Sequence, residues 1–343
     1  LQSLTLSFAV FTSSSGSTAP APTVTAFYVA VGLAVFTIAF GTRNLDANER
    51  HHGVVTAIAL EAVVKLAALL AVGVFVVWGV ADGPTDIFAR MDPALLNQNE
   101  IFNTRWLTLT FLSATAVICL PRMFQVIVVE NSNEKHLATA SWAFPLYLFL
   151  MSLFVLPIAI AGLSTLPENA NPDLFVLTVP LAQNQQALAT LAFLGGFSSA
   201  TSMVIVASIA LSTMMSNHIV LPLWLRINAK RNPASDDVRT LLLRSRRVSI
   251  GVIITLGYLY FQFTGGTGAL ASIGLIAFLG VAQMLPALIG GLFWSSATRV
   301  AAITGICVGF LFWAYTLFLP SFGGSFILSA ETISAGPWGI NAL

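Results

Sequence analysis

The sequence predicts an all-α protein that crosses a membrane several times, and two observations lead to this fold class. First, 57% of the 343 residues are hydrophobic and only 8% are charged, whereas a soluble domain carries roughly 25% charged residues. Second, apolar runs recur along the chain at the length of roughly 20 residues that a helix needs to cross a bilayer. Helices are the expected crossing elements, because an open strand would leave backbone groups unpaired in lipid.

The apolar runs predict eight full crossings and one truncated helix at residues 1–12. Segments rich in turn-forming residues separate these runs. One run, from Asn184 to Leu225, would reach about 60 Å as a single helix, twice the hydrocarbon thickness. We therefore predict a break near Ser216 and Asn217, with residues 219–227 lying along the membrane interface. The predicted spans are 24–41, 53–80, 105–128, 136–163, 186–214, 245–264, 269–293 and 297–319.

Lysine and arginine concentrate on every second connection, which predicts the sidedness of the chain. The connections in between hold only Arg90 and Arg105. Under the positive-inside rule the basic connections are cytoplasmic and Leu343 lies outside. The largest group belongs to a predicted basic cytoplasmic loop at 225–247, which contains Arg226, Lys230, Arg231, Arg239, Arg244, Arg246 and Arg247.

Charge and cysteine content exclude several functional classes. The net charge of +1 gives no basic field for a nucleic-acid partner. Cys119 and Cys307 both lie in apolar runs, which argues against a disulfide scaffold or a thiolate metal site. No catalytic motif is present, so we expect this chain not to be an enzyme and to need no cofactor. Leu1 begins inside an apolar run, and we expect a longer parent protein.

Glu61 and Lys65 are ionisable residues inside the predicted span 53–80, close to its midplane. Such residues are costly in lipid and indicate function by default. Their i,i+4 spacing places both on one helix face, in the favourable order. Two interpretations stay open. The pair neutralises itself and joins neighbouring helices, or Glu61 binds a coupling ion or substrate with Lys65 as its counter-ion.

A polar segment, GGFSSATS at 195–202, interrupts the predicted span 186–214. Ser198, Thr201 and Ser202 share a helix face, and Ser199 lies beside them. Their hydroxyl oxygens are the hard ligands that a small alkali cation needs when it loses water. The alternative is close helix packing, which small residues also permit.

Pro121 and Arg122 lie inside the predicted span 105–128. Proline removes a backbone donor and frees a carbonyl, a feature of the broken helices beside transporter substrates. We therefore include both residues among the candidates for the substrate or coupling site. The alternative for Arg122 is an interfacial side chain that reaches toward water.

Several segments together resemble the sodium/solute symporter family. The stretch 53–61 is similar to a family helix that usually has Asp at the Glu61 position, and CLPRMFQVIVVENS (119–132) is similar to the Gly-Gln-Pro-His pattern. Ser198, Thr201 and Ser202 resemble the set in its sodium-binding helix. PALIGGLFWSSATRVAAITG (286–305) resembles its Pro-x-x-x-Gly-Gly-Leu-x-Trp segment. Arg122 stands where the family has His.

A closer resemblance is to the membrane input domain of CbrA-like hybrid sensor histidine kinases. It rests on LPRMFQVIVVEN, HLATASWAFPLYLFL, FSSATSMVIVASIALSTMMSN and FLFWAYTLFLPS. The resemblance implies a fragment of a LeuT-type inverted-repeat fold in a bacterial inner membrane. In that fold, 1–80 would end repeat one, 105–293 would form repeat two and 297–319 would be an extra helix, all in one membrane domain.

The resemblance also implies a function. We expect the chain to bind a solute, a histidine-like amino acid, and to transport it with Na+ or H+ as the sensory input of a cytoplasmic kinase domain in cis. The alternatives are a stand-alone sodium/solute symporter and a membrane receptor that binds without transporting. The other expected partners are the small-molecule solute itself and the lipid bilayer.

Overall fold

The computed structural model describes residues 1–14, 21–41, 52–91, 104–131, 133–227, 235–264 and 270–322. All regular structure in these ranges is helical. Single π-helical turns continue some helices, at Val76–Val80, Gln125–Val129, Ser216–Val220 and Ala314–Phe318. The α-helices are α1 (Gln2–Ser14), α2 (Pro22–Gly41), α3 (His52–Phe75), α4 (Pro84–Ala89), α5 (Thr104–Cys119), α6 (Pro121–Phe124), α7 (Lys135–Leu153), α8 (Val155–Thr165), α9 (Phe175–Ala182), α10 (Gln186–Met215), α11 (Leu221–Ile227), α12 (Ser235–Thr264), α13 (Leu270–Ala282), α14 (Leu285–Phe293) and α15 (Arg299–Trp313).

The described residues contain six helices that are long and apolar enough to cross a membrane, or seven if the bent segment α5–α6 is one span. The chain is therefore an all-α, multi-pass membrane protein. The predicted count of eight is higher, because it includes α12 over the predicted span 245–264, a helix of 30 residues that is not among these candidates. The six helices are Pro22–Gly41, Thr56–Val80, Lys135–Thr165, Gln186–Ile227, Leu270–Phe293 and Arg299–Phe322.

The helix that begins at Gln186 is longer than the sequence predicts. A π-helical turn occupies Ser216–Val220, where we expected a break, and α11 carries the helix on to Ile227. The prediction that 219–227 turns to lie along the interface is therefore wrong. A π turn inserts one residue per turn without ending the backbone hydrogen bonding, so the helix changes register here and continues.

The predicted basic loop at 225–247 is largely helical where the structure describes it. α12 begins at Ser235, ten residues before the predicted span. Val238, Leu241 and Leu242 are half-buried, so this charged segment has an apolar side that can pack as a helix. Residues 228–234 lie outside the described ranges.

The residues form two compact units, Leu1–Leu96 with Gln125–Tyr258, and Asn97–Phe124 with Leu259–Leu343. The first unit has one buried cluster formed by α3, α4, α8, α9 and α10, in which Val72 of α3 and Val76 of the π turn that continues it are fully buried. Its second cluster joins α1, α2 and α12 around Ile250, which is also fully buried. Apolar burial of this kind holds each group of helices together.

The long helices of the first unit differ in direction. The ring of Phe27, early in α2, contacts Tyr258, late in α12, so these two helices are antiparallel. Gly41, at the end of α2, instead faces Ile209 in the second half of α10. In the same unit, Ala192 of α10 shares a buried cluster with Val72 near the end of α3. These directions are the ones expected for consecutive crossings.

The α4 segment contains a local charge cluster outside the candidate spans. The Asp86 carboxylate accepts hydrogen bonds from the Asp82 backbone N–H at 3.2 Å and from the Arg90 guanidinium at 2.6 Å. These bonds, the Asp82 bond first, hold the pKa of Asp86 below its ordinary value because they stabilise the charged form.

The second unit packs α13 against α15 through a tryptophan. The indole N–H of Trp313 donates to the Ile276 carbonyl at 2.8 Å. The same ring covers Gly280, where an added Cβ would lie 2.8 Å from a ring carbon. Trp313 also stacks on Phe318, with ring centroids 5.1 Å apart. Glycine at position 280 therefore leaves room for the Trp313 ring, and the ring N–H has a hydrogen-bond acceptor.

Candidate functional site

The helices that carry the main candidate residues, α3 and α10, approach each other closely at Gly195. A Cβ added to Gly195 would lie 2.8 Å from the Ala68 Cβ and 3.5 Å from the Lys65 Cα. Small residues permit this backbone approach in membrane helices. Gly195, the first glycine of the GGFSSATS segment, therefore serves close helix packing, which was one of the two interpretations of this segment.

This contact fixes the relative height of Glu61 and the hydroxyl residues. The two helices are antiparallel, so residues after Gly195 lie beside residues before Lys65. Glu61 is four residues before Lys65 and seven before Ala68, about 6 and 10 Å along the axis, and Ser198 and Ser199 are about 4.5 and 6 Å beyond Gly195. Glu61 and the two serines therefore lie within about one helical turn of the same level on adjacent helices.

Glu61 has an unsatisfied oxygen at this level. The side chain is half-buried, and its Oε2 atom is buried without a hydrogen-bond partner in the described part of the chain. A buried carboxylate oxygen left unpaired is costly, because it loses its water without a replacement. This oxygen therefore has free capacity to accept a proton or bind a cation.

Among the described residues, the structure shows no ion pair between Glu61 and Lys65. Lys65 has an interaction of its own, and its Cα lies at the contact with α10.

The four hydroxyl residues divide into two kinds. Thr201 donates to the backbone carbonyls of Phe197 and Ser198, and Ser202 donates to Ser199. These are local bonds of the sort that serine and threonine make inside membrane helices. Within the described residues, the side chains of Ser198 and Ser199 make no such bond. Their hydroxyls remain available to a ligand.

Tyr147 is a neighbour of Glu61 that the sequence analysis missed. Its hydroxyl, on α7, donates to the Ala62 carbonyl at 3.2 Å, so a phenol from a third helix contacts the residue after Glu61. The sequence did contain a signal for this contact: Tyr147 places a hydroxyl in an apolar span, two residues after Pro145. The site thus draws on α3, α7 and α10.

The sequence analysis also missed a stripe of buried serines, which begins in the second half of α10 and ends in the π turn after it. Ser208, Ser212 and Ser216 follow each other at i,i+4 spacing and are at most 1% exposed. The Ser216 hydroxyl is hydrogen-bonded to Ser245 of α12 at 3.0 Å. The regular spacing was a visible signal that this face of α10 packs against protein.

Pro121 and Arg122 belong to the second unit. α5 ends at Cys119, α6 begins at Pro121, and the two segments of this candidate span are bent by 50°. Proline lacks the N–H that would bond to the carbonyl four residues earlier, which explains the break. The Nε of the half-buried Arg122 is buried without a hydrogen-bond partner among the described residues.

The donor set around Glu61 is made of oxygens. One carboxylate and two hydroxyls suit a hard alkali cation or a proton. Within the described residues, no group of three or more His, Cys, Asp or Glu side chains could hold a metal ion. The searches for similar proteins gave no match to a family model, to a curated protein or to a solved structure.

Proposed function

We propose that the chain is a cation-coupled solute transport domain in which Glu61, Ser198 and Ser199 handle the coupling ion. The observation that carries this proposal is the buried, unpartnered Oε2 of Glu61 near the level of two hydroxyls on the adjacent helix. Ionisable residues inside membrane spans line ion and substrate pathways in transporters. A carboxylate kept only for packing would be expected to have a partner.

The coupling ion on this proposal is Na+ or H+. Either one neutralises the charge of Glu61 when it binds, and the oxygens of Ser198 and Ser199 replace part of the water that Na+ sheds. Coupling follows if this neutral, ligated state favours one orientation of the bundle over the other, since a ligand shifts a conformational equilibrium only by its differential affinity.

The LeuT-type inverted-repeat fold belongs to this proposal. The broken helix at Pro121 supports it, because substrate sites in such folds lie beside discontinuous helices. The alternating directions of α2, α3, α10 and α12 agree with consecutive crossings. The repeats 1–80 and 105–293, the bacterial inner membrane, the cytoplasmic side of the basic connections, the histidine-like solute and a kinase in cis rest on the resemblance and the charge pattern.

Uptake in proteoliposomes tests the proposal. Purified full-length protein is reconstituted, and accumulation of radiolabelled L-histidine is measured under an inward Na+ gradient and, separately, an inward proton gradient. Glu61→Gln removes the charge and keeps the shape, so gradient-driven accumulation should fall at least tenfold. Glu168→Gln, an exposed carboxylate on the loop after α8, is the matched control and should accumulate like the wild type.

The outcomes separate the candidate functions. If the Glu61→Gln variant accumulates L-histidine as the wild type does, Glu61 does not handle the coupling ion. Equilibrium binding of L-histidine without accumulation in sealed vesicles favours a receptor. Accumulation by a protein whose reading frame ends after one or two further spans favours a stand-alone symporter, and a downstream kinase sequence favours a sensor.

A further inference from the structure

The outer face of α12 is apolar and exposed. Val248, Val252 and Leu256 repeat every four residues and are 66%, 51% and 60% exposed, whereas Ile250 and Ile254 on the opposite face are buried against α1 and α2. α2 is a candidate membrane span, and α12 runs antiparallel beside it. The exposed face of α12 therefore meets the hydrocarbon chains of the bilayer.

Two arginines stand at one end of this lipid-facing surface. Arg244 is one turn before Val248 on the same face, and Arg247 flanks it, about 60° away around the helix. Both side chains are exposed, in contrast to Arg246 between them, which is 8% exposed and points into the protein. The helix thus changes from apolar to cationic within one turn, on the side that faces lipid.

The position of these arginines matches the depth of phospholipid headgroups. α12 ends at Thr264, 17 residues after Arg247, which is about 26 Å along the axis and close to the roughly 30 Å hydrocarbon thickness. The Ser216–Ser245 hydrogen bond ties this turn to α10.

We propose that Arg244 and Arg247 form a binding site for an anionic phospholipid of the phosphatidylglycerol type. Guanidinium groups bind phosphate oxygens through paired N–H donors, and the neighbouring apolar stripe contacts the acyl chains of the same lipid. The site is on the surface of the first unit and includes none of the candidate coupling residues. It does not depend on the transport proposal, nor on which leaflet this end of α12 faces.

Binding of acyl-labelled phosphatidylglycerol to the detergent-solubilised full-length protein tests the site, with phosphatidylcholine of the same chains as the neutral probe. The double variant Arg244→Gln/Arg247→Gln should bind phosphatidylglycerol about 30-fold more weakly, because each basic residue near an anionic surface contributes about 1 kcal/mol. Raising salt should weaken binding to the wild type and have little effect on the double variant.

Arg239→Gln is the matched control, because Arg239 is an exposed arginine of the same helix that lies about 140° from Arg244 around the axis. Its affinity should equal that of the wild type. A second variant, Arg244→Lys/Arg247→Lys, retains the charge without the paired N–H donors and should bind more tightly than the glutamine variant but less tightly than the wild type, which distinguishes lost binding from misfolding. Equal affinity of the wild type for both lipids, or unchanged phosphatidylglycerol binding by the glutamine variant, would overturn the proposal.

Discussion

Replacing Gly195 by alanine should destabilise the first unit, because one methyl group is enough to disturb the α3–α10 contact. The added Cβ would lie 2.8 Å from the Ala68 Cβ, whereas ordinary contacts begin at 3.4 Å. The Ala68 Cβ is fixed to its backbone and cannot rotate away. The two helices must therefore separate locally by roughly 0.6 Å, and overpacking of this kind costs about 1–3 kcal/mol.

Gly196→Ala is a control at the adjacent position of the same helix. A Cβ added there meets nothing within 4 Å. Both substitutions gain the same helix propensity, about 1 kcal/mol. The difference between them thus isolates the contact with α3, and Gly195→Ala should be less stable than Gly196→Ala by about 1–3 kcal/mol.

The assay is thermal unfolding of the detergent-solubilised protein, followed by the fraction that remains monodisperse in size-exclusion chromatography. Gly195→Ala should lower the melting temperature relative to Gly196→Ala. In an Ala68→Gly background, Gly195→Ala should cost much less than in the wild type, because the atom that the new methyl group strikes is gone; the single variant Ala68→Gly is the reference, since it has its own helix-propensity cost. Equal melting temperatures for the two alanine variants would refute the assigned contact.

Three further predictions concern other parts of the chain. Gly280→Ala should push the Trp313 ring away and break its hydrogen bond, which lowers stability by about 1 kcal/mol and shifts indole fluorescence to the red. The pKa of Asp86 is lowered in the folded protein, so its stabilisation is present above the ordinary pKa of 3.8 and is lost as the pH falls below it. The protection of the α4 amides, measured against the intrinsic exchange rate at each pH, should therefore fall below that pH, and Asp86→Asn should abolish this dependence. Ser245→Ala should cost about 1–3 kcal/mol by leaving the buried Ser216 hydroxyl unpaired, whereas Ser216→Ala/Ser245→Ala should cost less in thermal unfolding.

The sequence predicted the helical spans well where the apolar run had clear ends. The predicted span 24–41 corresponds to Pro22–Gly41, and 269–293 to the helices from Leu270 to Phe293. It failed near 219–227, because a π turn preserves the helix where polar residues favoured a break. Local composition cannot distinguish these two outcomes, since both accommodate Ser216 and Asn217.

The candidate site was predicted in part. Glu61 and the 198–202 segment were chosen because polar groups are costly in lipid, and the structure brings Glu61 and Ser198 to within about one helical turn of the same level on packed helices. The pairing of Glu61 with Lys65 was wrong, because side-chain partners depend on the neighbouring helix as well as on i,i+4 spacing. Tyr147 was missed for the same reason, as its contact with Ala62 spans 85 residues of sequence.

By itself, the sequence determined that this protein is a bundle of membrane helices with polar residues at a few positions in its spans. The composition and the length of the apolar runs suffice for this, because lipid favours an apolar side chain at each position of a crossing helix, whatever the rest of the chain does. Only the tertiary structure decided which of those polar residues have partners. The unpaired oxygen of Glu61 and the close approach of α10 to α3 at Gly195 both depend on atoms far apart in the chain.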